Sequence, residues 1–189
     1  MAFDMFLVLP PTASTGIRVS DEPVLDKYFA GFANQAVVEI RSFSLDVENP
    51  MTIGSATGGA GAGKAKLNPV VIEKSVDLLS ESLFQISATG AHLDKMQVFL
   101  RKAGGTTVAK PYLVYGFGMV FVNKVEWSAS EGDDLPIERV EFAYGSLSLA
   151  YYPQRPDGTF ATSTASRMTW NQMTNTDQLP QGADVFAGV

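Results

Sequence analysis

The chain has 189 residues, of which 46% are hydrophobic, and it carries a formal net charge of −6 with no cysteine. A chain of this length and apolar content forms one domain with a buried core. The negative charge argues against nucleic acid as a partner, because a phosphate backbone needs a basic patch. The lack of cysteine excludes disulfides, thiolate nucleophiles and cysteine-ligated metals.

The opening residues MAFDMFLVLPP predict a short buried strand over residues 2–9 and not a secretory signal. They lack a basic start, they include Asp4, and their apolar run stops at Pro10 and Pro11. No stretch approaches the roughly 20 apolar residues of a membrane-spanning helix. We therefore expect a cytoplasmic protein without direct membrane insertion, which leaves the cell only if a machine carries it.

Residues 10–35 mix proline, glycine, serine and charged residues, and they predict a loop. Its DKYFAGFA piece holds Tyr28, Phe29 and Phe32 close together. Isolated aromatic side chains in loops usually pack onto their own domain, so we expect a flap that covers one edge of the core. A contact with a neighbouring subunit is the alternative.

Residues 37–47 (VVEIRSFSLDV) alternate with a period of two over their second half, which predicts a strand with one buried and one polar side. The expected buried side consists of Phe43, Leu45 and Val47. The small polar side consists of Ser42, Ser44 and Asp46.

Residues 48–68 are rich in Gly, Ala, Ser and Thr, and they carry too little side chain to hold themselves folded. Long structureless loops are uncommon in compact domains, and small residues let a backbone approach another surface closely. Two interpretations stay open, an arm that docks on a partner and a flexible linker. The glycine-rich middle of the stretch is flanked by Met51, Ile53 and Leu67, which are apolar anchors with no evident place in their own domain.

The segment SLFQISATG predicts a helix, with Ser80 as its N-cap and Gly90 in the left-handed conformation at its end. So short a helix is not stable alone, and it must lean on a sheet. The stripe expected to face the core consists of Leu79, Leu83 and Ile86.

Strand-like segments surround this helix at PVVIEK, KMQVFLRK, PYLVYGFGMVFVNKVEW and IERVEFAYGSLSLAYY. The third is apolar on both faces to about Val122, so we expect both of its faces to be covered. In the fourth, the apolar positions change phase, which predicts a β-bulge near Gly145. The polar remainder predicts a tail that pairs one short strand through Met168–Trp170.

One glycine-rich segment looks like a phosphate-binding loop. GGAGAGK (Gly58–Lys64) fits most of the GxxxxGK[ST] spacing, but Ala65 supplies no hydroxyl for Mg²⁺. The phosphate cradle also needs a helix N-terminus directly after the glycines, and no helical pattern follows here. Nucleotide binding is therefore not expected.

The other polar candidates predict no catalysis and no metal. His92 is the only histidine, which excludes a multi-histidine metal site and a Cys–His dyad. After a helix C-terminus, a structural role is favoured for it. Glu131, Asp133 and Asp134 lack the calcium-loop spacing and predict a solvated turn. We expect no catalytic residue and no cofactor.

Four phrases stand in order along the chain: EIRSFSLDVENP (Glu39–Pro50), GSATGGAGAGKAKLN (Gly54–Asn68), FLRKAGG (Phe99–Gly105) and YYPQRPDGT (Tyr151–Thr159). Together with the opening MAFDMFL, they resemble the Hcp family, the tube protein of type VI secretion. The resemblance covers about residues 1–10 and 37–159.

The resemblance implies a mainly β fold, a small β-barrel of two packed antiparallel sheets with one flanking α-helix and a long extended loop. This tube domain would span residues 1–158, followed by a polar tail at 159–189. The resemblance further implies hexameric rings that stack into a tube, a spike protein at the tip, a contractile sheath and effector proteins in the lumen. Such a protein is not an enzyme, and it is cytoplasmic before firing and then secreted without a cleavable signal peptide.

The same resemblance assigns two surfaces. It makes the long loop the contact with a neighbouring ring, through Asn49, Pro50, Met51, Thr52, Ile53, Lys64, Lys66 and Leu67. It makes the small polar side of the 37–47 strand the lumen wall, through Ser42, Ser44 and Asp46. Ordinary solvent exposure is the alternative for that polar side.

Two other functions stay open. A contractile phage-like tail tube subunit shares the architecture, and a free-standing β-sandwich binding module, for instance for a carbohydrate, would explain the strands. The glycine-rich arm favours assembly, because a monomeric binding module has no use for it. Residues 10–36 and 159–189 are longer than the corresponding family segments, and either could add a function.

Overall fold

The computed structural model describes residues 3–10, 29, 32, 35–52, 61–62, 64–102, 110–132, 134–155 and 165–180. The chain order begins with β1 (Phe3–Leu9), β2 (Ala36–Glu39), β3 (Ser42–Ser44), β4 (Val47–Glu48), β5 (Met51–Thr52), β6 (Gly61–Ala62), β7 (Lys66–Leu67) and β8 (Val70–Ser75). It continues with α1 (Leu78–Thr89), β9 (His92–Lys102), β10 (Pro111–Ser128), β11 (Ile137–Tyr151) and β12 (Ser166–Asn171).

Eight of these strands form one antiparallel sheet in the order β2-β1-β9-β10-β11-β8-β3, with β12 pairing along β11. The predicted mainly β class, with one helix in the described part of the chain, is confirmed. The sheet does not close into a barrel, which corrects that part of the expectation. The β12 pairing agrees with the strand predicted through Met168–Trp170.

The predicted strand 37–47 is interrupted at Ile40 and Arg41. The Ile40 N–H donates to the Met5 carbonyl beside β2, and the Arg41 N–H donates to the Glu73 carbonyl beside β3. The segment therefore changes partner from β1 to β8 within two residues. A period-two pattern cannot reveal such a switch, because both halves remain extended and keep alternating.

The long central strand β10 is covered on both faces from Pro111 to Gly118, but Met119 and Phe121 are exposed, so the expected cover stops short of Val122. The main core lies on one face and includes the predicted helix stripe of Leu79, Leu83 and Ile86. A second cluster lies on the other face and includes Phe6, Phe29, Phe99, Val114 and Tyr152.

The flap prediction is confirmed where the structure describes that segment. The Phe29 ring centroid lies 4.8 Å from that of Phe6 and 5.9 Å from that of Phe99, while the Phe32 centroid lies 5.5 Å from that of Phe99. These aromatic side chains pack on their own domain. Tyr28 lies outside the described residues.

The change of phase near Gly145 is real, but no shift of register accompanies it there. Between β10 and β11 the register shifts instead between Val122 and Lys124. Opposite Gly145, Met119 adopts a φ of 54°, and it separates two buried rows that cross three strands. One row contains Leu93, Val120 and Tyr144, and the other contains Met96, Phe117 and Leu147.

Position 145 is closely packed, so a side chain there would require its neighbours to shift by a few tenths of an ångström. A Cβ there would lie 3.3 Å from the Met119 Cβ and 3.2 Å from the Met173 Cε. The positions that point into the core therefore change parity at this point in neighbouring strands together. A bulge in β11 alone was the wrong mechanism for the phase change.

Asp77, and not Ser80, is the N-cap of α1. The Asp77 carboxylate accepts from the Leu79 N–H at 2.9 Å, and the Ser80 hydroxyl accepts from the Asp77 N–H at 3.1 Å, which closes a capping box. The predicted helix therefore begins earlier than expected. Its predicted end is confirmed, because Gly90 has a φ of 67°.

A fully buried ion pair joins this helix end to the sheet. The Lys74 ammonium lies 2.7 Å from Glu138 Oε2, and both side chains have 0% exposure. Lys74 also donates to the Asp77 carboxylate at 2.6 Å and to the Ser80 hydroxyl at 3.0 Å. Ser80 in turn donates to Glu138 Oε2 at 2.8 Å, and the Trp127 indole N–H donates to Glu138 Oε1 at 2.7 Å.

Every polar group of this cluster has a hydrogen-bond partner, which is what makes its burial tolerable. Removing one member would leave an uncompensated charge, at a cost of several kcal/mol. Replacing both charges together avoids that penalty, and such exchanges are often close to neutral. The cluster therefore specifies geometry more than it adds net stability.

We predict that Lys74→Met lowers the free energy of unfolding by about 3–5 kcal/mol, because it strands the buried Glu138 carboxylate. The matched control is Lys124→Met, which removes a lysine from the Lys124–Glu126 pair, whose side chains are about half exposed. That change should cost less than about 1 kcal/mol. Chemical denaturation of both variants measures the difference, and equal losses would contradict the role given to the buried pair.

Candidate assembly surfaces

The arm, defined as residues 48–68, is partly paired and is not a structureless loop. Strand β4 pairs with β7 at its base, and β5 pairs with β6 further out. The described residues of the arm therefore include two short antiparallel ladders, while 53–60 and 63 lie outside the described residues. The sequence of small residues did not predict this pairing, because backbone hydrogen bonds form it and no side-chain pattern marks it.

Polar contacts fix the base of the arm. The Asn68 side-chain amide donates to Asp46 Oδ2 at 2.6 Å and to Glu48 Oε1 at 2.8 Å, and the Asn68 N–H donates to the Asp46 carbonyl at 3.3 Å. Lys66 and Glu48 form a weaker exposed pair at 4.0 Å. One amide thus joins both sides of the hairpin where it leaves the sheet.

The residues expected at a neighbouring ring fall into three groups. Asn49, Pro50, Lys64 and Lys66 are exposed. Met51 and Thr52 form β5, and Ile53 lies outside the described residues. Leu67 is only 9% exposed and belongs to the main core. The expectation that Leu67 lacks a place in its own domain is therefore wrong.

The proposed lumen residues are brought together on β3 and just beyond it. Ser44 and Asp46 are exposed and Ser42 is half-buried, while Phe43 and Leu45 pack against the core. On the expected buried side, Val47 is 52% exposed, because it lies in β4, which pairs with β7 and not with the main sheet. The alternation thus places Phe43 and Leu45 correctly and fails at Val47.

Asp46 has effects beyond its own face. Burial raises the pKa of Tyr144, and the negative charge of Asp46 adds to the rise. The Tyr144 hydroxyl is buried and has no hydrogen-bond partner among the described residues. The phenol therefore stays neutral, and it contributes bulk to the core and not acid–base chemistry.

An exposed aromatic pair lies beside the helix, and sequence reasoning missed it. The rings of Phe84 and Trp127 stack with centroids 5.6 Å apart, and about half of each side chain is exposed. The hydrogen bond from Trp127 to Glu138 fixes the indole. Helical periodicity marks Phe84 as an outward position, but it does not show which strand residue meets it.

The candidate chemical motifs form no reactive site among the described residues. After Lys64 the chain continues as β7, so no helix N-terminus follows the glycine-rich segment at that point. His92 starts β9, exposed and 3.9 Å from Asp94, with its ring 5.6 Å from that of Phe121. Glu131 and Asp134 are exposed, while Asp133 lies outside the described residues.

The described residues contain no group of three or more His, Cys, Asp or Glu side chains placed to hold a metal ion. Within those residues no helix combines the length and apolar content needed to cross a membrane.

Solved structures share this fold along their whole length. One is a type six secretion system protein, 23% identical, with a TM-score of 0.76 over 94% of this chain and 100% of that one. Hcp1 from Salmonella typhimurium is 21% identical, with a TM-score of 0.65 over 94% and 100%. A type VI secretion system effector from Yersinia pestis is 20% identical, with a TM-score of 0.61 over 89% and 99%.

Structures at such low sequence identity show the fold alone, so the family is assigned from a comparison of sequences. No curated protein matches the chain. The family model described as type VI secretion system effector, Hcp, matches residues 30–151, which is more than half of the chain. The chain therefore belongs to the Hcp family of type VI secretion system effectors.

Proposed function

We propose that the chain is a structural subunit of the type VI inner tube, in which hexameric rings stack, carry effectors and are expelled by a contractile sheath. The observation that carries this proposal is the family match over residues 30–151. The subunit would act without catalysis, cytoplasmic before firing and secreted afterwards. A spike protein would cap the tube, and effectors would contact its lumen.

Exposed apolar side chains support self-assembly. Single exposed apolar side chains are normal on a monomer, whereas contiguous ones mark interaction sites, and the stacked rings of Phe84 and Trp127 are contiguous. Here large hydrophobic side chains between 42% and 66% exposed occur on several elements: Phe3, Val47, Leu78, Phe84, Met119, Trp127, Leu135, Tyr151, Met168 and Met173. Several contacts with other copies would bury such a dispersed set, whereas a single binding cleft would not.

The exposed arm and the polar side of β3 receive separate roles in this proposal. The arm contacts a neighbouring ring through Asn49, Pro50, Lys64 and Lys66, together with Met51, Thr52 and Ile53. Leu67 anchors the arm to its own domain instead. Ser42, Ser44 and Asp46 face the lumen, where small polar groups leave room for cargo.

We expect the purified protein to form a ring with six times the chain mass of 20.3 kDa, or stacks of such rings. Light scattering coupled to size exclusion, with negative-stain images, measures this. A monomer at high protein concentration would favour the free-standing binding module instead. A tube subunit of another contractile system would form the same rings. Secretion that requires the type VI sheath would distinguish a type VI tube subunit from that alternative.

Deleting residues 54–63 is expected to leave rings that form but do not stack, and to stop secretion. Each large apolar side chain that the arm buries on a neighbour contributes roughly 1.5–3 kcal/mol, opposed by the entropy of ordering the arm. Tube length by electron microscopy at matched concentration reports the effect. Tubes as long as those of the unaltered protein would return the arm to the linker interpretation.

Ser44→Gln is expected to leave the ring intact and to impair effector loading, because it fills space on the proposed lumen wall. Ser44 is exposed, so the larger side chain should not disturb the core. Co-purification of an effector with the ring measures loading, and Glu39→Gln, at the exposed last position of β2, is the control. Full loading by the variant, or loss of folding, would remove Ser44 from the lumen wall.

A further inference from the structure

All sulfur in this chain belongs to methionine, because the sequence contains seven Met and no Cys. The described methionine side chains differ strongly in exposure. Met96 is fully buried in the core, whereas Met119, Met168 and Met173 are 42%, 44% and 50% exposed. An exposed thioether is open to oxidants in solution and a buried one is protected, so these three residues are the candidates for oxidation.

Met173 differs from Met168 because its thioether fills a gap that Gly145 leaves on the sheet. The Met173 Sδ and Cε lie 3.3 Å and 3.2 Å from the point that a Cβ of residue 145 would occupy. The Met119 Cβ lies 3.3 Å from the same point, on the neighbouring strand β10. We call this contact between Met119, Gly145 and Met173 the methionine clasp.

The clasp attaches a turn that extends past the end of a strand pair. The ladder between β11 and β12 ends at Asn171, and backbone hydrogen bonds in both directions join Asn171 to Thr176 across the turn. Beyond the ladder, the Gln172 N–H donates to the Gly145 carbonyl at 3.1 Å. Met173 is the apolar residue among 172–175, so its contact with Gly145 is the apolar attachment of this turn.

We propose that Met173 is an oxidant-sensitive modification site, at which conversion of the thioether to a sulfoxide releases the turn 171–176 from the sheet. The co-reactant is hydrogen peroxide. A sulfur lone pair attacks one peroxide oxygen, and the S–O bond forms as the O–O bond breaks. The departing hydroxide takes the proton of the new S–O–H group and leaves as water, so the sulfur loses two electrons and the peroxide gains them.

The clasp accommodates a thioether but not a sulfoxide. A thioether is apolar and flexible, and it fills irregular gaps well. A sulfoxide oxygen is a polar acceptor, and burying it without a donor is costly. The gap is lined by the side chain of Met119 and by Gly145, whose carbonyl can only accept and is already bonded to Gln172. The oxidised side chain therefore moves into water, and the turn loses its apolar attachment.

The modification is reversible and independent of the tube function proposed above. Methionine sulfoxide reductases return the sulfoxide to the thioether. In a chain without cysteine, methionine is the residue through which an oxidant can alter the fold reversibly. The site can therefore be tested on the purified full chain, whatever it assembles into.

The test treats the purified full chain with dilute hydrogen peroxide. Peptide mass spectrometry follows the oxidation of each methionine, and hydrogen-exchange mass spectrometry follows the turn. Met173→Leu removes the oxidisable sulfur at nearly constant volume, and Met168→Leu, at an exposed position of β12, is the matched control. Met173→Gln places a polar group in the clasp without any oxidant. Circular dichroism confirms that each variant is folded.

Met173 should oxidise at least about tenfold faster than the buried Met96. Its oxidation should speed hydrogen exchange at the Gln172 and Thr176 amides at least about tenfold, while exchange in β9 and β10 stays unchanged. Met173→Leu should abolish this response to peroxide, and Met168→Leu should retain it. Met173→Gln should reproduce the faster exchange without peroxide, and a methionine sulfoxide reductase should reverse the effect of oxidation.

Three results would overturn the modification site. The first is oxidation of Met173 without faster exchange in the turn, and the second is a response to peroxide that persists in Met173→Leu. The third is protection of Met173 from peroxide to the same degree as Met96. None of these results bears on the tube proposal, because the mass of the ring and the length of the tubes are measured separately.

A general loss of protection throughout the sheet on oxidation would also contradict the local release of the turn. Met173→Gln distinguishes such unfolding from peroxide damage elsewhere, because it changes the clasp alone. If Met173→Gln is folded and its turn exchanges as slowly as that of the unaltered protein, Met173 does not hold the turn and the inference is wrong.

Discussion

The ion pair between Lys74 and Glu138 is the constraint on which the arrangement of sheet and helix depends. The two residues are direct cross-strand partners on β8 and β11, and Glu138 is also the partner of Trp127 on β10. A slip of β8 by one residue along β11 would move the Lys74 side chain to the opposite face of the sheet and separate the two charges. Because a buried charge without its partner is costly, the pair excludes neighbouring registers more strongly than an apolar pair would.

The same pair positions the helix and what surrounds it. Ser80 bonds Lys74, Glu138 and the Asp77 backbone, so the first turn of α1 is tied to two strands at once. Trp127 bonds the other carboxylate oxygen, and this orients the indole on which Phe84 stacks. Asp77 and Glu81 also lie at the positive N-terminus of α1, where negative charge stabilises the helix.

Local patterns predicted the elements well and their partners poorly. Alternation and the Gly90 signal gave most strands and the end of the helix, since each depends on a few neighbouring residues. Lys74 and Glu138 look like ordinary polar positions in alternating strands, and Ser80 meets Glu138 across 58 positions of sequence. The partner switch at Ile40 and the burial of Leu67 have the same origin, because long-range pairing decides them and local composition does not.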